Sequence, residues 1–191
     1  MENYKNKYRI PSARLQSWDY RWCASYFITI CTQKRLHCFG EIVDGEIQLS
    51  HIGILADVFW YEIINHTKNI ILGEYVVMPN HVHGILNIVG SNNVVDPVEK
   101  TLHATSLRDE RDEKMALISP KSDSISAIIR SYKSAITKHA HRLGYEFAWQ
   151  TRFHDHIIRS EKSYNQITEY VINNPQNWKN DIFHPNCEIH H

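Results

Sequence analysis

Apolar and polar positions alternate along this chain in two periods, and the changes of period mark its elements. From Ala24 the run SYFITICT is dense in β-branched and aromatic residues and predicts a strand. Asp44-Gly45 then predicts a tight hairpin with short arms over 41–43 and 46–49. Ser50 is placed to cap a helix in which Ile54, Leu55, Val58, Phe59 and Ile63 recur at helical spacing, and which ends near His66. Two further strand patterns, 71–78 and 81–89, flank the tight-turn dipeptide Pro79-Asn80 and predict a second hairpin. A stripe of Ile125, Ile128, Ile129, Tyr132, Ile136, His139, Ala140 and Leu143 predicts a second helix, ended by Gly144. The segment YEFAWQTRFHDHII predicts a strand with Phe147, Trp149, Thr151 and Phe153 on one face. A last helix runs from about Glu161 to Asn174 and stops at Pro175.

Leaving the first hairpin aside, the order is strand, helix, strand, strand, helix, strand, then one more helix. This predicts an α+β domain of the ferredoxin-like split βαβ kind, an antiparallel sheet with its helices on one face and its other face open for a site. The chain reads as a single domain over 1–191. Residues 1–22 form a basic, aromatic N-terminal arm, and 91–120, which contains RDERDEK, form a long mobile loop without sustained periodicity.

The charge balance changes this picture only locally. Twenty-one Lys and Arg offset 21 Asp and Glu, so global charge advertises no nucleic-acid partner. Yet basic residues gather at Lys5, Lys7, Arg9, Arg14, Arg21, Lys34 and Arg35, and again at Arg130, Lys133, Lys138, Arg142, Arg152 and Arg159. The four cysteines form no CxxC pair and the N-terminus has no signal-peptide core, which predicts reduced thiols and a soluble cytoplasmic protein. No apolar run approaches the roughly 20 residues that span a bilayer, so no membrane partner is expected.

Candidate chemistry centres on HVH, His81 to His83, in the strand after Pro79-Asn80. Alternate side chains of a strand share a face, so the two imidazoles project together and can ligate one metal ion. Tyr170 and Asn174 lie at i and i+4 on the last helix and share a face there. Together these residues offer two nitrogens, a hard oxygen and open positions, a set suited to Mg²⁺ or Mn²⁺ bound jointly with a phosphate. Taken singly, two hydrogen-bonded surface imidazoles, a packing tyrosine and a helix-end asparagine account for the same residues.

HVH after a Pro-Asn turn resembles the HUH motif of the single-tyrosine HUH transposases. The block WQTRFHDHIIRSEKSYNQITEYVINNP, 149–175, resembles that of the REP-associated tyrosine transposases of the same superfamily. The resemblance spans roughly 26–178 and makes the last helix a catalytic one. It implies Tyr170 as nucleophile, His81 and His83 as the metal-binding pair, and Asn174 as third ligand, where insertion-sequence relatives carry Gln. The implied reaction is breakage and rejoining of single-stranded or hairpin DNA through a 5′-phosphotyrosine, with Mg²⁺ or Mn²⁺ as cofactor. The implied assembly is a monomer or homodimer, cytoplasmic and nucleoid-associated when bound to DNA. Arg21, Arg130, Lys133, Lys138, Arg142 and Arg152 are candidate phosphate contacts, and Trp18, Tyr20 and Trp22 candidate stacking platforms. Arg152 and His154 could approach the DNA or the metal. The competing readings are a domesticated or inactive DNA-binding relative, a replication-initiator or relaxase-type HUH nuclease, an RNA-binding domain of the same topology, and a structural metal protein using Cys187, His190 and His191.

Overall fold

The computed structural model describes residues 22–90 and 124–184. The expected mobile loop and all but Trp22 of the expected basic arm lie outside the described residues, as do Arg21 and the tail cluster of Cys187, His190 and His191.

Strand β1, Ala24–Cys31, alternates as expected: Tyr26, Ile28 and Ile30 are fully buried on one face. A small hairpin follows, β2 Gly40–Val43 and β3 Glu46–Leu49. Asp44 (φ 52°) and Gly45 (φ 82°) both adopt the left-handed conformation that a two-residue hairpin turn of this twist requires. Helix α1, His51–His66, starts where the Ser50 hydroxyl accepts from the Gly53 amide at 3.1 Å. Strands β4, Ile70–Met78, and β5, His81–Ile88, form the second hairpin. Helix α2, Ile125–Arg142, is capped by Ser124 and buries Ile125, Ile128, Ile129, Tyr132, Ile136 and Ala140. Strand β6, His154–Ile158, and helix α3, Glu161–Asn173, complete the chain of elements.

The sheet order is β4-β5-β1-β6, antiparallel throughout. This is the expected ferredoxin-like α+β arrangement. Helices α1 and α2 pack together over the face bearing Tyr26, Ile28 and Ile30. Helix α3 lies against the opposite face, where the Tyr164 hydroxyl approaches Gly73 and lies 3.5 Å from Asn87 Nδ2.

Three expectations are corrected. Ile54 and Val58 of the expected α1 stripe are exposed; Ile63 is buried as expected, and it is joined by Ile52, Ala56 and Trp60. The helix is apolar nearly all round, so two stripes satisfy the same period; the indole of Trp60, seated over Gly84, selects one of them. Leu143 is also exposed, since it caps α2 beyond the last turn facing the core. Finally, only the end of 145–158 is a strand. Residues 145–153 run as a connector held by an isolated bridge between Thr32 and Trp149, with Gln150 N donating to Cys31 O at 2.9 Å. Phe147 and Trp149 still pack against Phe39, but Thr151 is exposed.

Candidate metal and tyrosine site

His81 and His83 sit on β5, the strand paired on both sides by β4 and β1, so their backbone positions are held by two ladders. Alternation puts both on the face opposite α1, and burial there is nearly complete at 0% and 1% exposure. Their rings lie 4.3 Å apart between centroids. His81 Nδ1 is 2.8 Å from Asn80 Oδ1, and His83 Nδ1 is 2.9 Å from the hydroxyl of Thr29, its cross-strand neighbour. Burial, reinforced by the neighbouring His83 and Arg35, holds His81 neutral far below the ordinary range. Burial likewise lowers His83 to about 4, against the opposing pull of Asp181. Neutral imidazoles are the form that ligates metals.

Helix α3 brings up the second half of the site. Its stripe of Tyr164, Ile167 and Val171 faces inward, and this turns Tyr170 and Asn174 toward β5. The Tyr170 hydroxyl is 3.2 Å from His83 Nε2, and its ring meets Phe27 edge-on at 6.1 Å. Tyr170 remains 42% exposed, whereas Asn174 is buried. Burial and the adjacent Asp181 push the phenol up to about 12.

Asp181 has no counterpart among the expected site residues. It follows Pro175 and a short 3-10 turn, Trp178–Asn180, that folds the chain back over the histidines. Asp181 Oδ2 accepts from Asn174 Nδ2 at 2.8 Å and from the Tyr170 hydroxyl at 3.3 Å, and Oδ1 accepts from the Phe183 amide at 2.7 Å. Ligand atoms of His81, His83 and Asp181 all lie within 4.8 Å of one another, a group that could hold a metal ion. Two further atoms support that fit: His81 Nε2 and Asn174 Oδ1 are buried without a hydrogen-bond partner. The only sequence signal for Asp181 is that it is the sole acid between Glu169 and Glu188.

The expected phosphate contacts are dispersed. Arg130, Lys138 and Arg142 are exposed on α2, across the sheet from Tyr170. Lys133 is not on that solvent face, because its ammonium donates to Gln150 O and lies 5.9 Å from the centre of the Trp149 ring. Arg152 is exposed just before β6. His154 pairs with Thr29, which in turn pairs with His83, so His154 borders the site two strands away. No helix among the described residues is long and apolar enough to cross a membrane.

No protein-family model matches the chain. It is 35% identical over 171 residues to an uncharacterized protein of Haemophilus influenzae, a match covering 89% of this chain and 90% of that protein. Among solved structures it is similar to a REP-associated tyrosine transposase bound to a REP hairpin, with a TM-score of 0.55 at 17% identity, covering 88% of this chain and 74% of that one. At that identity the likeness establishes the fold.

Proposed function

We propose that this chain, which belongs to one family with the uncharacterized Haemophilus influenzae protein and carries the fold of the REP-associated tyrosine transposase, is a metal-dependent single-stranded DNA endonuclease and strand transferase of the single-tyrosine HUH kind. One observation carries this reading. The hydroxyl of a partly exposed tyrosine stands 3.2 Å from a buried histidine of an HVH pair, beside a carboxylate and two buried ligand atoms with no partner. Buried polar atoms are normally hydrogen-bonded, so an unsatisfied imidazole Nε2 and amide Oδ1 in one site are what a bound metal would account for.

In this reading Tyr170 attacks a backbone phosphorus. A bond from its Oη to phosphorus forms as the bond to the 3′ oxygen breaks, giving a 5′-phosphotyrosine and a free 3′-hydroxyl. One phosphodiester replaces another, so a 3′-hydroxyl can reverse the step without ATP. Tyr170 is protonated at neutral pH, since its pKa lies at about 12, and its proton must leave as the bond forms. Asp181 Oδ2 is the acceptor within reach of it once His83, whose Nδ1 is engaged by Thr29, serves as a metal ligand through Nε2. Mg²⁺ or Mn²⁺ bound by His81, His83, Asp181 and Asn174 would supply Lewis-acid polarisation of the phosphate. Phe27, packed against both His83 and Tyr170, keeps the phenol ring in line. Arg152, exposed just before β6, would hold a flanking phosphate, whereas Arg130, Lys138 and Arg142 lie across the sheet from Tyr170. The hairpin preference is carried over from the structural relative, whose ligand is a REP hairpin.

Incubation of labelled, hairpin-bearing single strands with the protein and Mn²⁺ tests the reading. A covalent adduct is expected with the wild type and none with Tyr170→Phe. An adduct that survives in Tyr170→Phe would overturn the nucleophile, and one insensitive to chelator would overturn the metal. Binding without any adduct would favour a domesticated DNA-binding relative.

A further inference from the structure

We propose that Asn80 is the positioning residue of the metal site: it sets the tautomer of His81 and fastens the segment that carries Asp181. The inference rests on the metal reading given above. Asn80 is fully buried in the turn between β4 and β5. Its Nδ2 donates to Phe183 O at 2.8 Å and, more weakly, to Arg35 O at 3.4 Å. Carbonyl oxygens only accept, so the amide nitrogen must face them, and the orientation of the side chain is decided. Its Oδ1 then faces His81 Nδ1 at 2.8 Å. That oxygen brings no proton, so Nδ1 of the neutral ring must carry the hydrogen, and the lone pair falls on Nε2. Nε2 is the buried ring nitrogen that has no partner.

The other end of the same amide acts on Asp181. Asn80 holds the carbonyl of Phe183, and the amide of Phe183 holds Asp181 Oδ1 at 2.7 Å. The Phe183 ring meanwhile lies 4.5 Å from that of His81 and 4.9 Å from the Arg35 guanidinium, so the segment is clasped from both sides. One side chain therefore aims a nitrogen from β5 and anchors a carboxylate from beyond α3 at the same point. Outer partners of this kind are typically worth about 10- to 100-fold in metal affinity.

The test is histidine ¹⁵N NMR of the metal-free full chain, with the His81→Gln spectrum assigning the signal, alongside calorimetric Mn²⁺ titration of wild type, Asn80→Ala and Asn80→Asp. In the wild type, His81 is expected to show an unprotonated Nε2 and a protonated Nδ1. Asn80→Ala should lose that tautomer preference and bind Mn²⁺ about 10- to 100-fold more weakly. Asn80→Asp keeps an acceptor at Nδ1 but has no donor for Phe183 O, so it should retain the tautomer. A wild-type His81 protonated on Nε2 overturns the proposal, whatever the variants do. A wild type that binds Mn²⁺ and forms the Tyr170 adduct, matched in affinity by Asn80→Ala, overturns this proposal alone. A wild type that binds no Mn²⁺ overturns it together with the metal reading.

Discussion

Asp181 accepts three hydrogen bonds, from Asn174, Tyr170 and Phe183, and its charge bears on two of the site's functions. As a hard anionic ligand it complements two neutral imidazoles. As an anion beside a phenol it disfavours the phenolate, which is one reason that Tyr170 sits at about 12. Asp181→Asn should therefore lower two quantities. Mn²⁺ affinity should fall by more than the roughly 10- to 100-fold typical of an outer-shell partner. The phenol of the metal-free chain should titrate at lower pH than in the wild type, toward the ordinary value of 10, as followed by ultraviolet difference spectroscopy against Tyr170→Phe. An unchanged or raised Tyr170 titration would mean that the carboxylate does not act on the phenol.

Elements meet the site through two close contacts with the sheet. On the α1 face, Gly84 leaves room for the Trp60 indole, and a methyl group at that position would collide with its six-membered ring. On the α3 face, Gly73 admits the Tyr164 hydroxyl in the same way. Gly84 is flanked in β5 by His83, so the packing of α1 and the placing of the metal ligand share one stretch of backbone. Gly84→Ala should destabilise the domain by about 1–3 kcal/mol, the usual cost of overpacking a well-filled core. Denaturant unfolding measures it, and an unshifted midpoint would contradict the close seat of Trp60 on β5.

For the whole molecule, the buried histidines make folding depend on pH when no metal is bound. His83 falls from an ordinary 6.5 to about 4 in the folded chain, and His81 shifts in the same direction. Because the unfolded chain binds these protons more readily, stability is fully present above pH 6.5 and is lost as pH falls from 6.5 toward 4. His83 alone would contribute roughly 3 kcal/mol to that loss. Thermal unfolding of the chelated protein across this range should show it, and His83→Gln should flatten the curve; an equal slope in that variant would assign the loss elsewhere.

Local sequence was enough for the features whose pattern closes on itself within a few residues: Asp44-Gly45 for one hairpin, Pro79-Asn80 for the other, Ser50 at the first helix start, Gly144 after the second helix and Pro175 after the last. The period of two along β5 likewise placed His81 and His83 on one face, and the turn spacing of α3 put Tyr170 and Asn174 together. Periodicity could not choose between the two apolar stripes of α1, because that choice depends on which side chain the sheet leaves room for. Nor could it foresee that 145–153 bridges to Thr32 without forming a strand, because that depends on what β1 has left to pair. Asp181 and the double role of Asn80 were beyond the sequence for the same reason. Their partners lie far along the chain, and only the return of the segment after α3 across β5 brings a carboxylate, an amide and two imidazoles within hydrogen-bonding reach.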